Sequence, residues 1–190
     1  MKTITKEELA KKIELHRKWL NDEEGGERLE LVGYNLRGSD LSDSDLSRSD
    51  LRGSNLSGSN LSGSNLSRSD LSRSNLSGSD LRRSNLSGCN LGGCNLGGSD
   101  LRGSNLIGSD LRGSNLIGSD LDYSCLPLWC GSLGAYFDDR QIIQIVYHAV
   151  KAGLDSPNVS EGVKTELRKV AGLANRFHRV DECGRIEAEE

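Results

Sequence analysis

Residues 49–68 read SDLRGSNLSGSNLSGSNLSR, with leucine at positions 51, 56, 61 and 66. The same spacing of five holds without a slip from Leu31 to Leu126, twenty leucines in all. A helix repeats its apolar residues roughly every 3.6 positions and a strand about every 2, so neither gives this period. A short fixed repeat makes each unit one small structural step, buried only by stacking on its neighbours. Ser stands two places before each leucine from Ser39 to Ser124, replaced only by Cys89 and Cys94. Asp or Asn stands one place before almost every leucine, and Gly stands two places after it in thirteen of the twenty units. Such a unit describes a tight coil, with leucine inside, the small residue inward where space is short, and the other three residues facing water. The expected structural interior is therefore Leu36, Leu41, Leu46, Leu51, Leu56, Leu61, Leu66, Leu71, Leu76, Leu81, Leu86, Leu91, Leu96, Leu101, Leu106, Leu111, Leu116 and Leu121.

This pattern resembles the pentapeptide-repeat family, whose motif is Ala-(Asp/Asn)-Leu-x-x. The resemblance covers about half the chain and implies an all-β solenoid, a right-handed quadrilateral β-helix with four units to a square coil. Twenty units then give about five coils, a rod roughly 24 Å long at the strand spacing of ~4.8 Å. Gly two places after leucine suits the second central position of a type II turn, which needs positive φ. Arg48, Arg68, Arg73 and Arg83 hold that position elsewhere, and those corners are expected to use a different turn. The chain departs from the family in using Ser where Ala is usual. A buried hydroxyl left without a partner costs about 1–3 kcal/mol, so these serines are expected to bond to backbone of their own or the next coil. Cys89 and Cys94 share the inward slot and read as packing, without redox or metal chemistry.

The chain is 34% hydrophobic and 4% aromatic, values that suggest disorder until the leucine period is recognised. Its five cysteines follow no paired spacing, which points to a reducing compartment, and a cytoplasmic location is expected. No signal-like N-terminus and no long apolar run is present, so no membrane association is expected. Residues 31–126 carry 9 basic and 10 acidic groups, a near-neutral balance that leaves no electrostatic footprint for direct nucleic-acid binding.

With four units per coil, residues twenty apart stack in one column. One face carries Asp50, Asp70, Asn90 and Asp110, and the opposite face Asp40, Asn60, Asp80, Asp100 and Asp120. A third face is all Asn (Asn35, Asn55, Asn75, Asn95, Asn115), and the fourth reads Asp45, Asn65, Asn85, Asn105, Cys125. The candidate binding faces are those of Asp40, Asp80, Asp100 and Asp120 and of Asp50, Asp70 and Asp110. Some quinolone-resistance members of the resembling family mimic DNA on a type II topoisomerase such as gyrase, and acidic columns on a rod of duplex width motivate that idea. Arg52, Arg73 and Arg112 on one face, with Arg82, Arg83 and Arg102 on the other, are expected to cancel most of the field. The favoured expectation is a solvated surface on a non-enzymatic scaffold or protein-binding rod with an unnamed protein partner.

Three segments are expected: 1–26 as a capping helix and linker, 27–128 as the repeat, and 129–190 as a C-terminal helical cap. Thr5 and Glu8 spell a capping box for a helix to about Leu20, with Leu9, Ile13, His16 and Leu20 on one face. After Pro127, Asp138 or Asp139 starts a helix that Gly153 closes. Ser160 starts a second, with Val163, Leu167, Val170, Ala174 and Phe177 at helical spacing, and Ile186–Glu190 is expected to fray. The apolar area of this two-helix segment suggests a homodimer. His148, His178, Asp181, Cys130 and Cys183 show no ligand spacing, the serines no nucleophile elbow and the glycines no phosphate loop. No catalytic residue, metal or cofactor is expected.

Overall fold

The computed structural model describes residues 1–126, 135–176 and 185–187. It divides into two compact units, Met1–Tyr136 and Phe137–Glu190.

In the first unit, parallel bridges link residues twenty apart in four columns. They run from Asn35 to Asn115, from Asp40 to Asp120, from Asp45 to Cys125, and from Glu30 to Asp110. The leucine phase and the four faces read from the sequence are thus those of the structure. Each pairing is a single-residue bridge, and no longer strand forms among the described residues. The chain turns every five residues, which leaves each side of the coil room for one paired residue.

The pentapeptide satisfies all five of its backbone N–H groups, as a buried coil must. In the unit centred on Leu51, the Leu51 N–H donates to Asp70 O (2.8 Å) and the Gly53 N–H to Ser72 O (3.0 Å), both one coil on. The Ser54 N–H closes the turn on Leu51 O (3.1 Å), and the Asn55 N–H reaches back to Tyr34 O (2.9 Å). The fifth, the Arg52 N–H, bonds to the Asp50 side chain at 3.3 Å. That last bond explains why Asp or Asn precedes the leucine: a short carbonyl-bearing side chain caps the N–H two residues on.

Leu36 to Leu121 are all buried, none more than 3% exposed. Most inward serines are satisfied within their own turn, as where Ser54 Oγ donates to Leu51 O at 2.7 Å and Ser64 Oγ to Leu61 O at 2.6 Å, while Ser69 Oγ donates to Leu46 O one coil back. Cys89 and Cys94 direct their thiols at Leu66 O and Leu71 O one coil back. Ser104 Oγ alone, among the described residues, is buried without a partner.

One expectation fails here. Arg48, Arg68 and Arg73 adopt φ of 60° and Arg83 of 57°, the same left-handed region as the corner glycines, which run from 61° at Gly53 to 74° at Gly118. The arginine corners use the same turn as the glycine corners. The coil's hydrogen-bond register fixes the corner conformation, and the side chain accepts it.

The N-terminal helix α1 (Lys6–Leu20) begins with the Thr5–Glu8 capping box. It is tied to the first coil by His16, which is fully buried. The Leu29 N–H donates to His16 Nδ1 at 3.0 Å, so Nε2 carries the proton and donates to Ser47 O at 2.9 Å. The imidazole stacks on Trp19, 5.5 Å between centroids. Lys2 pairs with Tyr34, adding one more bridge at this end.

Among the described residues the second unit holds three helices, not two: α2 (Asp139–Asp155), α3 (Glu161–Lys169) and α4 (Ala171–Ala174). Asp138 caps α2, with Gln141 completing a capping box. Gly153 does not end α2, which continues to Asp155 and caps at Ser156. A Cβ at Gly153 would lie 2.5 Å from Leu167 Cδ1, so this glycine is a packing contact. The helix expected from Ser160 breaks at Val170, and Val163 and Val170 are exposed while Ala171 and Ala174 are buried. Ile186 is not frayed. It is 5% exposed, joins the cluster of Ile143, Tyr147 and Val150, and exchanges two 2.9 Å hydrogen bonds with the Asn175 amide. Phe177 lies outside the described residues.

Candidate functional site

The acidic columns were the sequence's candidate faces, and the structure places arginines directly on them. Arg52 Nη2 lies 2.6 Å from Asp50 Oδ2, and Arg112 Nη2 2.5 Å from Asp110 Oδ2. On the opposite face the pairs run on from coil to coil. Arg82 binds Asp80 at 2.5 Å and reaches Asp100 at 3.6 Å, while Arg102 binds Asp100 at 2.5 Å and reaches Asp120 at 3.7 Å. In each of the four short pairs the arginine stands two residues after its aspartate, so the motif Asp-Leu-Arg builds the ion pair within one unit. The arginine hydrogen bond holds the carboxyls of Asp50, Asp80, Asp100 and Asp110 below the usual carboxylate range. Among the described residues Asp40 and Asp70 make no ion pair; Asp40 instead accepts from Ser42 and Asn60, and Asp70 from the Ser72 N–H.

The first acidic face is concave. An open groove of about 850 Å³ is lined by Arg52, Asp70, Ser72, Arg73, Gly92 and Arg112, among others. Arg52 and Arg112 stand at its ends, and the small residues Ser72 and Gly92 between them leave the gap. A Cβ at Gly92 would already come within 3.2 Å of Asn90 Oδ1.

Among the described residues, the other sequence candidates do not come together. Burial pushes the Cys89 thiol up to about 12 and the Cys94 thiol up to about 11, values at which neither is a nucleophile. Among the described residues no group of His, Cys, Asp and Glu could hold a metal ion. His148 is exposed, its ring edge-on to Tyr147, and Cys130, His178, Asp181 and Cys183 lie outside the described residues. Two features escaped the sequence reading. His16 looked like one member of an apolar stripe, and its partners lie 13 and 31 residues away. The corner arginines carried a visible signal, a bulky residue where glycine is the rule.

A family model for pentapeptide repeats matches eight copies, over residues 30–68, 49–88 and 84–122. The chain belongs to the pentapeptide-repeat family. Among solved pentapeptide-repeat structures, it is 31% identical to Rfr23 of the cyanobacterium Cyanothece 51142, over 65% of this chain and 92% of that one, with a TM-score of 0.46. It is 26% identical to a protein of the Arabidopsis thaliana thylakoid lumen, over 61% and 74%, with a TM-score of 0.43. Full-length QnrB1, a plasmid-mediated fluoroquinolone resistance protein, is 18% identical over 65% and 71%, with a TM-score of 0.19. Comparison with curated protein sequences returned no match. As in its family, this chain forms a β-helical solenoid, and no described helix is long and apolar enough to cross a membrane.

Proposed function

We propose that this pentapeptide-repeat chain is a non-enzymatic scaffold, a right-handed quadrilateral β-helix of five coils closed at its N-terminal end by α1, that displays its faces to a protein partner. The observation that carries this reading is the pairing of most of the column carboxylates in place: every Asp-Leu-Arg unit pairs its own charges. What remains outward is a regular ladder of amides and ion pairs on a rigid frame, a surface suited to docking. The thiols of Cys89, Cys94 and Cys125 are free, which fits the reducing, cytoplasmic setting we propose. The C-terminal unit, residues 137–190, is the segment proposed for homodimerisation, tested by light scattering of the chain with and without it.

The alternative is a DNA-mimicking inhibitor or protector of gyrase. It draws on the acidic columns, and the same ion pairs weigh against it, since mimicry of a phosphate backbone needs uncompensated charge. A supercoiling assay separates the two. The scaffold reading expects no inhibition or protection of gyrase at high micromolar protein, together with stoichiometric retention of a protein on the immobilised chain. Inhibition at low micromolar concentration would overturn it.

A further inference from the structure

The solenoid carries nine arginines and no lysine between residues 31 and 126. They fall into distinct classes. Arg52, Arg82, Arg102 and Arg112 follow leucine directly, have ordinary φ, and each pairs with the aspartate two residues before. Arg48, Arg68, Arg73 and Arg83 occupy left-handed corners, and none of their guanidiniums makes a hydrogen bond or ion pair among the described residues. A side chain in the left-handed region is strained against its own backbone, and glycine, which avoids that strain, fills most other corners. The stems of Arg68, Arg73 and Arg83 lie over Gly88, Gly93 and Gly103 of the next coil, with Cγ 3.6–3.7 Å from where a Cβ would be. Backbone strain at these corners is therefore met by no charge partner among the described residues, and strain of that kind marks functional positions.

Three of the four gather on one side. Arg48 and Arg68 are one coil apart on the corner that leads into the grooved face, and Arg73 stands at the groove itself, on the corner that leaves it. We propose that Arg48, Arg68 and Arg73 form an acceptor for an acidic, extended segment of a partner protein, whose carboxylates pair with the three guanidiniums while its backbone lies along the groove. Guanidinium forks suit carboxylates bidentately, which accounts for arginine in place of lysine. Asp70, without a cationic partner on the groove floor, meets a donor on the same segment. A nucleic acid fits less well: no aromatic ring lines the groove for a base to stack on.

This rests on the scaffold reading and names the class of partner. The test is fluorescence anisotropy at low ionic strength with a labelled oligo-glutamate peptide and the full chain. The wild type binds the peptide, and Arg48→Gln/Arg68→Gln/Arg73→Gln weakens binding about tenfold or more through the loss of three charge-assisted contacts. Arg83→Gln, equally strained but on another corner, leaves it unchanged. Arg48→Gly/Arg68→Gly/Arg73→Gly also loses the peptide yet melts no lower than the wild type, because glycine relaxes the corners. The proposal is overturned if the triple glutamine variant binds like the wild type, if Arg83→Gln matters as much as the triple change, or if a single-stranded oligonucleotide of equal charge outcompetes the peptide. Failure of the wild type to bind the peptide also overturns it, while leaving the scaffold reading to its own capture experiment.

Discussion

Ser64 and Ser104 make a controlled pair. They stack in the same column two coils apart, each 0% exposed, each followed by Asn and Leu. They differ in one respect: Ser64 Oγ donates to Leu61 O at 2.6 Å, and Ser104 Oγ has no partner. Replacing either by Ala removes the same atom from the same kind of site. For Ser64→Ala the loss is one hydrogen bond, about 1 kcal/mol net, because Leu61 O keeps the Ser64 N–H at 3.1 Å. For Ser104→Ala the change removes a buried unsatisfied hydroxyl and stabilises by about 1 kcal/mol or more. The gap of ~2 kcal/mol corresponds to a separation of roughly 1 M in urea midpoint at an m-value near 2 kcal/mol/M. Urea unfolding followed by far-ultraviolet circular dichroism reads it, with Ser104→Ala above the wild type and Ser64→Ala below. Coincident midpoints for the two variants would refute the assignment of partners along the serine column.

Other perturbations separate the remaining contributions. Leu76→Ala at mid-solenoid should destabilise by about 2–5 kcal/mol in the same urea assay, since a coil locked by bonds on both sides cannot close over the hole, whereas Arg102→Ala should leave the urea midpoint nearly unchanged because its ion pairs face solvent. Burial holds the His16 imidazole below its ordinary pKa, against the opposing pull of the Ser47 carbonyl, so the unfolded chain binds the extra proton first. The stability His16 contributes is therefore complete above about pH 6.5 and declines as pH falls from there toward its lower folded value. A melting-temperature profile from pH 8 to 5 should show that decline, and His16→Gln should flatten it. Gly153→Ala should destabilise the helical unit by about 1–3 kcal/mol, as Leu167 must move to admit the methyl group, and helical ellipticity on heating measures it.

How much of this was legible beforehand follows from the range of each interaction. The leucine phase, the four columns and the Thr5–Glu8 cap are set by residues within one unit or one turn, so the chain declares them. The left-handed Arg48, Arg68, Arg73 and Arg83 were misjudged because local preference favours another turn there, and only the bonds from adjacent coils decide otherwise. The helical unit was read less well for the same reason. Spacing alone gave Val163 and Val170 an inward face, but the helix breaks at Val170 and buries Ala171 and Ala174 instead. Ile186 is secured by Asn175, a partner eleven residues away that no composition rule for chain ends anticipates. At the candidate faces, charge type was readable and charge pairing was not. Asp-Leu-Arg is a visible triplet, yet its closure into an ion pair depends on the turn that swings the arginine back.

Residues 99–108 and 109–118 are the same ten letters, SDLRGSNLIG. Since twenty residues complete a circuit, the second copy emerges half a turn round from the first. Asp100 with Arg102 and Asp110 with Arg112 are one device mounted on opposite sides, each closed at 2.5 Å, and Ile107 and Ile117 point away from each other, 59% and 51% exposed. The length of a copied segment thus acts as an angular setting. A gain or loss of twenty residues lengthens or shortens every column and leaves its heading intact, ten exchanges opposite sides, and five swings everything downstream through a quarter turn. A surface that works by alignment across coils, such as the Arg48–Arg68 edge, survives only the first kind of change within its span.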